Sequence, residues 1–331
     1  MKCSVIGAGG WGTAVARLLA NNGHDVVLWA RNPDRAAEIR RTRENARYLP
    51  GVYLPEARCD VTSSFASALD VDVVFLAVPS FAVTDILDHM VDALSAGPPT
   101  LINLAKGLDR ATQLTISQLV EQRLPGSSVF ALSGPSHAEE VGRDVPTAVV
   151  LAGKAIDHGD FLQAEFSTPR FRIYVSDDIQ GVELCATVKN IIALATGISD
   201  GLGYGDNSRG ALITRGLAEM VRFGRTFGVC ESTFYGLSGL GDLVTTCTSQ
   251  HSRNRRVGFR LGQGETIEAI LERMEMVAEG VYATNVVHQM ACERSIDMPI
   301  TQAVHSLLQG HTEALALVDE IMTRTPKREH G

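Results

Sequence analysis

The chain contains no Cys-x-x-Cys pair; Cys3, Cys59, Cys185, Cys230, Cys247 and Cys292 are scattered. A chain of 331 residues that is 45% hydrophobic has ample core without covalent cross-links. Reduced cysteines, and with them a cytoplasmic location, are the expectation. The nine histidines form no ligand spacing, so no metal site is expected. No uninterrupted apolar run reaches the roughly 18 residues of a membrane span. Lys2 and the apolar residues after it begin as a secretory signal does. That run breaks at once into glycines, as a strand entering a turn does, and targeting is rejected. Positive charge is not in excess either: 30 basic against 38 acidic side chains leave a net charge of -8. This argues against general nucleic-acid binding, which rests on phosphate neutralisation. It leaves room for a small anionic substrate held by a local cationic cluster. Internal repeats and low-complexity segments are also missing.

What is there, in the first half, is an alternation of strand-like and helix-like segments. Ser4–Gly7 reads as a strand, followed by a glycine turn and a helix over Trp11–Asn22; Asp25–Ala30 is the next strand. Val71–Val78, Thr100–Ala105 and Ser128–Leu132 are further apolar runs of strand length, with a helical stretch over Thr112–Arg123 between the last two. Continuous rather than alternating apolar strands are those buried on both faces of a parallel sheet. The class is α/β, a doubly wound sheet. Val145–Ala152 and Arg172–Val175 read as two later strands at one sheet edge. After Ser176 the strand signals stop. Asp177 and Asp178 can cap a long helix, and the pattern stays helical to about Asp319. Glycine-bearing loops are expected around Gly197–Gly210 and Gly236–Asp242. The reading is therefore a dinucleotide-binding domain over 1–178, a helical domain over 179–322 and a frayed polar tail over 323–331.

Gly7, Gly9 and Gly12 match G-x-G-x-x-G, with Gly10 and Trp11 between. The pattern is weak alone, since the chain has 31 glycines. Placed directly after a strand and before a helix, it has the context of a dinucleotide site. Gly7 permits the tight turn, Gly9 lets backbone approach the pyrophosphate, and Gly12 lets helix pack on strand. The helix N-terminus then offers free N–H groups to phosphate. An ordinary glycine-rich loop is the plain alternative. Where an acid would bind the 2′-hydroxyl of NAD, the second strand ends instead at Arg31. An arginine there faces a 2′-phosphate or stacks on adenine, so acceptance of NADPH is predicted. A solvated strand-end arginine is the other reading.

Lys189, with Asn190 beside it, interrupts a helix that is apolar nearly all round. Burying an ammonium is costly unless it is paired or releases its proton easily. Lys189 is thus a candidate proton donor and acceptor, against the alternative of an interior lysine snorkelling to solvent. Lys106 lies in a loop at the carboxyl end of a strand, where ligands sit in such folds; many such lysines are merely solvated. In the loop Ser133–Val141, small residues allow close approach and Ser136 offers a hydroxyl. The same residues suit a helix cap with Glu139 as the capping-box acid. Asp242 follows a glycine-rich turn and can hold the lysine or a substrate hydroxyl. Ser252-Arg253-Asn254-Arg255-Arg256 is the densest cationic cluster of an acidic chain. Ser252 can cap a helix whose N–H groups, with an arginine fork, bind phosphate. Arg255 and Arg256 are left to a surface basic face.

These residues resemble the bacterial NAD(P)-dependent glycerol-3-phosphate dehydrogenases. The likeness is carried by Gly7–Gly12 with Trp11, by Ser133-Gly-Pro-Ser136-x-Ala138-x-Glu140-Val141, by Thr187-Val-Lys189-Asn190 through Gly201, and by Leu237-Ser-Gly-Leu-Gly-Asp242 with Ser252-Arg253-Asn254. These motifs span nearly the whole chain in the family's order, and the lysine-asparagine stretch is far more specific than the glycine motif. The resemblance implies a Rossmann domain followed by an all-helical domain, and reduction of dihydroxyacetone phosphate to sn-glycerol 3-phosphate for phospholipid synthesis. It implies Lys189 as proton acceptor in the oxidative direction. It assigns Lys106, Gly134, Ser136, Asp242, Ser252, Arg253 and Asn254 to the substrate. To the NAD or NADP cofactor it assigns Gly10, Trp11, Arg31, Lys106, Ala138, Arg253, Val277 and Glu279. A homodimer is the family expectation. Two departures stand out: Ala186 where the family usually has glycine, and Gly10 where serine is common, which removes a hydroxyl beside the phosphates. The rivals are a related dehydrogenase acting on another hydroxy acid or an opine, which needs no phosphate-binding cluster, and a dinucleotide sensor without turnover.

Overall fold

The computed structural model describes residues 1–94, 97–274, 277–316, 323 and 328. The expected tail over 323–331, and the end of the helical pattern near Asp319, lie largely outside the described residues. The first elements are β1 (Lys2–Ile6), α1 (Gly10–Asn21), β2 (Asp25–Trp29), α2 (Pro33–Thr42), β3 (Cys59–Thr62), β4 (Val73–Leu76) and α3 (Val83–Ala93). They continue as β5 (Thr100–Asn103), α4 (Ile116–Arg123), β6 (Val129–Ser133), α5 (Ala138–Val141), β7 (Thr147–Gly153), α6 (Ile156–Phe166) and β8 (Phe171–Ser176). The strands form one sheet in the order β3-β2-β1-β4-β5-β6-β7-β8. Every neighbour is parallel except β6 and β7, which run antiparallel with Phe130 opposite Gly153. The Phe130 ring lies where a side chain on Gly153 would stand. β4 and β6 are buried along their whole length, as the continuous apolar runs require. The strand order reverses between β1 and β4, and ligands bind at the carboxyl ends of strands beside such a reversal.

The remaining helices are α7 (Ile179–Gly201), α8 (Asp206–Arg225), α9 (Glu231–Tyr235), a π-helical turn over Leu237–Gly241, α10 (Asp242–Thr248), α11 (Arg253–Gly262), α12 (Ile267–Glu272), α13 (Glu279–Glu293) and α14 (Pro299–Leu308). Asp178 caps α7, its Oδ1 accepting from Gly181 N at 3.0 Å. By length and composition α7 is apolar enough to cross a membrane, yet its apolar window is entirely buried in the protein. All six cysteines are free thiols, and burial pushes those of Cys3 and Cys59 up to about 12.

The chain packs as two compact units, Met1–Ala186 with Val229–Asp242, and Thr187–Gly228 with the chain from Leu243 onward. They part within α7 rather than at Asp178, because Ile179 and Val182 belong to the core beneath the sheet. The segment Val229–Asp242 joins the sheet unit through Asp178, whose Oδ2 accepts from Cys230 N and Thr233 Oγ1 at 3.1 and 2.6 Å.

The two glycine-bearing loops expected around Gly197–Gly210 and Gly236–Asp242 are mostly helical. Gly197 and Gly201 lie in α7, and only the short stretch 202–205 separates α7 from α8. In the second unit α7 and α11 approach backbone to backbone. A Cβ on Gly197 or Gly201 would strike the carbonyl of Arg255 or Phe259, and one on Gly258 or Gly262 that of Leu194 or Ile198. Glycines four apart on both helices thus serve packing, as in small-xxx-small contacts generally.

Glu219 on α8 is buried in the second unit and caps α14. Its Oε1 accepts from Ile300 N at 2.5 Å, and its Oε2 from Thr301 N and Oγ1 at 3.2 and 3.1 Å. Burial pushes its carboxyl from an ordinary 4.5 up to about 7. A raised acid favours the fold while neutral; that contribution is complete below the unfolded value and is lost as pH rises through the folded one. The melting temperature should therefore fall from pH 5 to pH 8 more in the native protein than in Glu219→Gln, which never ionises. A difference between the two that stays constant over this range would show that Glu219 does not titrate there.

Candidate active site

In the first unit, β1 leads into a cradle of backbone. Gly7 has φ +118°, and a Cβ there would stand 2.8 Å from the Ala77 carbonyl oxygen. A Cβ on Gly12 would collide with the Gly7 carbonyl, so α1 packs on the β1 turn as closely as the motif requires. Gly9, by contrast, faces open space, with nothing within 4 Å of its missing Cβ. Gly9 is also the N-cap of α1 and offers no side-chain cap, so the helix start is suited to an anion. The buried Trp11 Nε1 finds no hydrogen-bond partner among the described residues. Open space, an uncapped helix and an orphaned indole N–H together fit a dinucleotide pyrophosphate. Gly10 has a local reason: a Cβ there would stand 2.9 Å from the Tyr48 carbonyl oxygen, and 3.6 Å from Ala138 Cβ at the start of α5. The serine common in the family would crowd Tyr48. Arg31 stands exposed just beyond the end of β2.

The loop is held by a residue that the motif does not contain. Buried Asn45 donates through Nδ2 to the Ala8 carbonyl at 3.0 Å and to Thr13 Oγ1 at 2.8 Å. No local pattern marks it; the nearest signal is its place in a polar stretch that the chain must bring back over the glycine turn.

Also in the first unit, Lys106 donates through Nζ to Asp242 Oδ2 at 2.8 Å and to the Gly134 carbonyl at 3.2 Å. Asp242 is 3% exposed and Lys106 20%, so the ion pair is buried at one end and open at the other. Such a pair keeps a cation fixed without a large net gain in stability. Gly134 has φ +145°, and a Cβ there would press on Val149 Cα at 3.0 Å. Ser136 Oγ donates to the Gly134 carbonyl at 2.9 Å. The alternative capping box of Ser136 and Glu139 is not formed: His137 is the N-cap of α5, without a side-chain cap.

In the second unit, Lys189 is 3% exposed and donates through Nζ to Thr246 Oγ1 at 2.6 Å. The amine is held by a hydroxyl inside the protein; it does not snorkel. Thr246 carries no motif signal except that it follows Asp242 by one turn of α10. Asn190 Oδ1 accepts from Asn254 Nδ2 at 2.9 Å, and Asn254 Oδ1 accepts from Gly280 N at 2.9 Å. Asn254 therefore joins α7, α11 and the start of α13. The bond to Gly280 also sets the chain just before it, where Val277 and Glu279 lie partly exposed. Ser252 caps α11, its Oγ accepting from Arg255 N at 3.2 Å, and half-buried Arg253 opens the helix. Arg255 is tied to Asp200 at 2.6 Å, as is Arg209 at 2.8 Å, and Arg256 is exposed. Two of the three arginines in the cluster thus belong to scaffold or surface, and Arg253 occupies the helix start.

A doubly wound sheet with a dinucleotide cradle, joined to a helical unit carrying a buried lysine, defines the class of two-domain nicotinamide-dependent dehydrogenases. Two family models match, described as NAD-dependent glycerol-3-phosphate dehydrogenase N-terminus over residues 2–158 and C-terminus over residues 178–319. A glycerol-3-phosphate dehydrogenase [NAD(P)+] of Bacillus mycoides is 46% identical over 99% of this chain and 97% of its own length. One from Prosthecochloris aestuarii is 45% identical over 99% of this chain and 100% of its own. The crystal structure of a glycerol-3-phosphate dehydrogenase from Coxiella burnetii has a TM-score of 0.94 and 40% identity, covering 98% of this chain and 99% of its own. The chain belongs to the NAD-dependent glycerol-3-phosphate dehydrogenase family.

Because Gly12 abuts the Gly7 carbonyl, Gly12→Ala should displace α1 from the β1 turn. Titration of NADPH fluorescence should show at least about a tenfold loss of cofactor affinity, as an ångström-scale misplacement produces. Unchanged affinity would separate the cradle from the cofactor.

Proposed function

We propose that this chain reduces dihydroxyacetone phosphate to sn-glycerol 3-phosphate with NADPH or NADH, reversibly, and so supplies phospholipid synthesis. The observation that carries the reading is a lysine amine buried in α7 and aimed by a threonine hydroxyl, in a chain of this family. When bound, the reduced nicotinamide supplies hydride to the carbonyl carbon. Lys189 gives a proton to the carbonyl oxygen during reduction and takes it back during oxidation, as a positioned general acid and base. Thr246 Oγ1 accepts one N–H of Lys189 at 2.6 Å and so holds the amine in place.

Lys106 brings a second fixed cation to the substrate, held by Asp242 and by the Gly134 carbonyl that also receives Ser136. Such preorganised charge is worth most where an oxygen gains negative charge during reaction. Arg253 and the start of α11, with Ser252 and Asn254 fixing its geometry, take the phosphate. Gly7, Gly9, Gly10, Trp11 and Gly12 cradle the cofactor, with Arg31 at its adenosine end and Lys106, Ala138, Arg253, Val277 and Glu279 as further contacts. Most of the cofactor contacts fall within residues 1–178 and most of the substrate contacts within 179–322. A cytoplasmic homodimer is the working form.

The test is a panel of ketones, including hydroxy-acid and opine precursors, assayed with NADH and NADPH on the native protein and on Lys189→Ala. Dihydroxyacetone phosphate should be the best substrate, and Lys189→Ala should lose about 10² to 10⁴ in kcat while still binding NADPH. Mutant activity within a few-fold of native removes Lys189 from the chemistry. Arg253→Ala should act mainly on KM for dihydroxyacetone phosphate. Arg31→Ala should weaken NADPH more than NADH; native protein active with NADH alone would contradict the role given to Arg31.

A further inference from the structure

Glu183, in the second turn of α7, is a carboxylate that the mechanism does not use. It lies within the sheet unit and is 3% exposed. Its Oε1 accepts from Asn103 Nδ2 at 2.9 Å and from Ser117 N at 3.0 Å, and its Oε2 from Ser117 Oγ at 2.5 Å. Burial raises its carboxyl above the ordinary range. A carboxyl group in such a place carries a desolvation cost that an apolar residue would avoid.

Asn103 is the last residue of β5. Its Oδ1 accepts from Ala105 N at 2.9 Å, and its Nδ2 also lies 3.3 Å from the Ala105 carbonyl oxygen. The side chain therefore closes a turn on its own backbone two residues on, as an Asx-turn does. Leu104 N makes the last bond to the sheet, to the Leu76 carbonyl at 3.0 Å. The next residue after the turn is Lys106. An asparagine amide can be held in either of two orientations, and its neighbours decide which. Glu183 Oε1 accepts from both Asn103 Nδ2 and Ser117 N, so it draws the NH2 group toward itself and leaves the oxygen facing Ala105 N. The course of the chain into Lys106 then depends on which way Asn103 points, and that depends on Glu183.

We propose that Glu183 is a positioning residue: through Asn103 it fixes the turn that delivers the Lys106 amine to Asp242 and Gly134. The inference rests on the reading of Lys106 as a substrate-binding cation. The rival is that Glu183 serves only the first turn of α4, where its carboxyl meets Ser117 N at a helix N-terminus.

Steady-state kinetics of dihydroxyacetone phosphate reduction on the full chain separates these, with melting temperature as a second readout. Glu183→Ala and Asn103→Ala should each lower kcat/KM by at least about tenfold. In the Lys106→Ala background each should change it by less than about twofold, the coupling expected of groups that act through one another. Glu183→Gln, which can accept from Asn103 and Ser117 N and donate to Ser117 Oγ, should recover most of what Ala loses. Ser117→Ala should lower the melting temperature and leave kcat/KM in place. Should Glu183→Ala fail to fold, Asn103→Ala carries the same test with Glu183 still bonded to Ser117. Near-native activity of Lys106→Ala would overturn the reading of Lys106 itself. Impaired Lys106→Ala alongside active Glu183→Ala and Asn103→Ala, or equal losses with and without Lys106, or a Ser117→Ala variant as impaired as Glu183→Ala, would overturn the positioning role alone.

Discussion

Water does not reach the middle of α7, and every polar group placed there has to find its partner in the protein. That requirement organises much of the structure. In the sheet unit, Glu183 holds Asn103 and the first turn of α4. In the helical unit, Lys189 requires Thr246, and Asn190 requires Asn254, which in turn requires Gly280 N. Removing one partner of a buried pair costs on the order of 1 to 3 kcal/mol, more for a charge. Within each unit, an otherwise featureless stretch of α7 thus fixes the residues that partner its buried polar groups.

Close backbone approach is the second constraint. At the turn after β1, Gly7 and Gly12 bring strand, turn and helix within a distance that no Cβ permits, and Gly9 faces open space. Between α7 and α11 the same chemistry serves a different end. Four glycines let the helix that begins with Arg253 lie directly on the helix that carries Lys189 and Asn190. Charge is handled as locally as space. The chain is acidic as a whole, Asp200 consumes Arg209 and Arg255, and the arginine left at the start of α11 is Arg253.

Much of this was legible before any coordinates. Val73–Leu76 and Val129–Ser133 are buried on both faces, so they announce themselves as continuous apolar runs, and the glycine turn after β1 is read from its context. Legibility fails where the signal is weak or shared. Pro33–Thr42 forms α2 although only Ala36 and Ile39 are buried, so no apolar stripe marks it. Cys59–Thr62 forms β3 with four residues, one of them Asp60. Glycines at 197 and 201 suggest a loop because glycine weakens an isolated helix, whereas here close packing of α7 on α11 outweighs propensity.

The amino-acid sequence by itself determined the α/β class, the glycine turn between β1 and α1, the helical second half and the presence of a lysine with no water to face. All of these depend on residues close together in the chain, whose spacing sets local geometry and burial. The tertiary structure alone decided which groups hold which. Asn45 braces the cradle from 32 residues away, Thr246 receives Lys189 from 57 away, and Glu183 meets Asn103 from 80 away. A hydrogen bond acts over about 3 Å, and nothing in a linear order of residues says which distant atoms folding will bring within that reach.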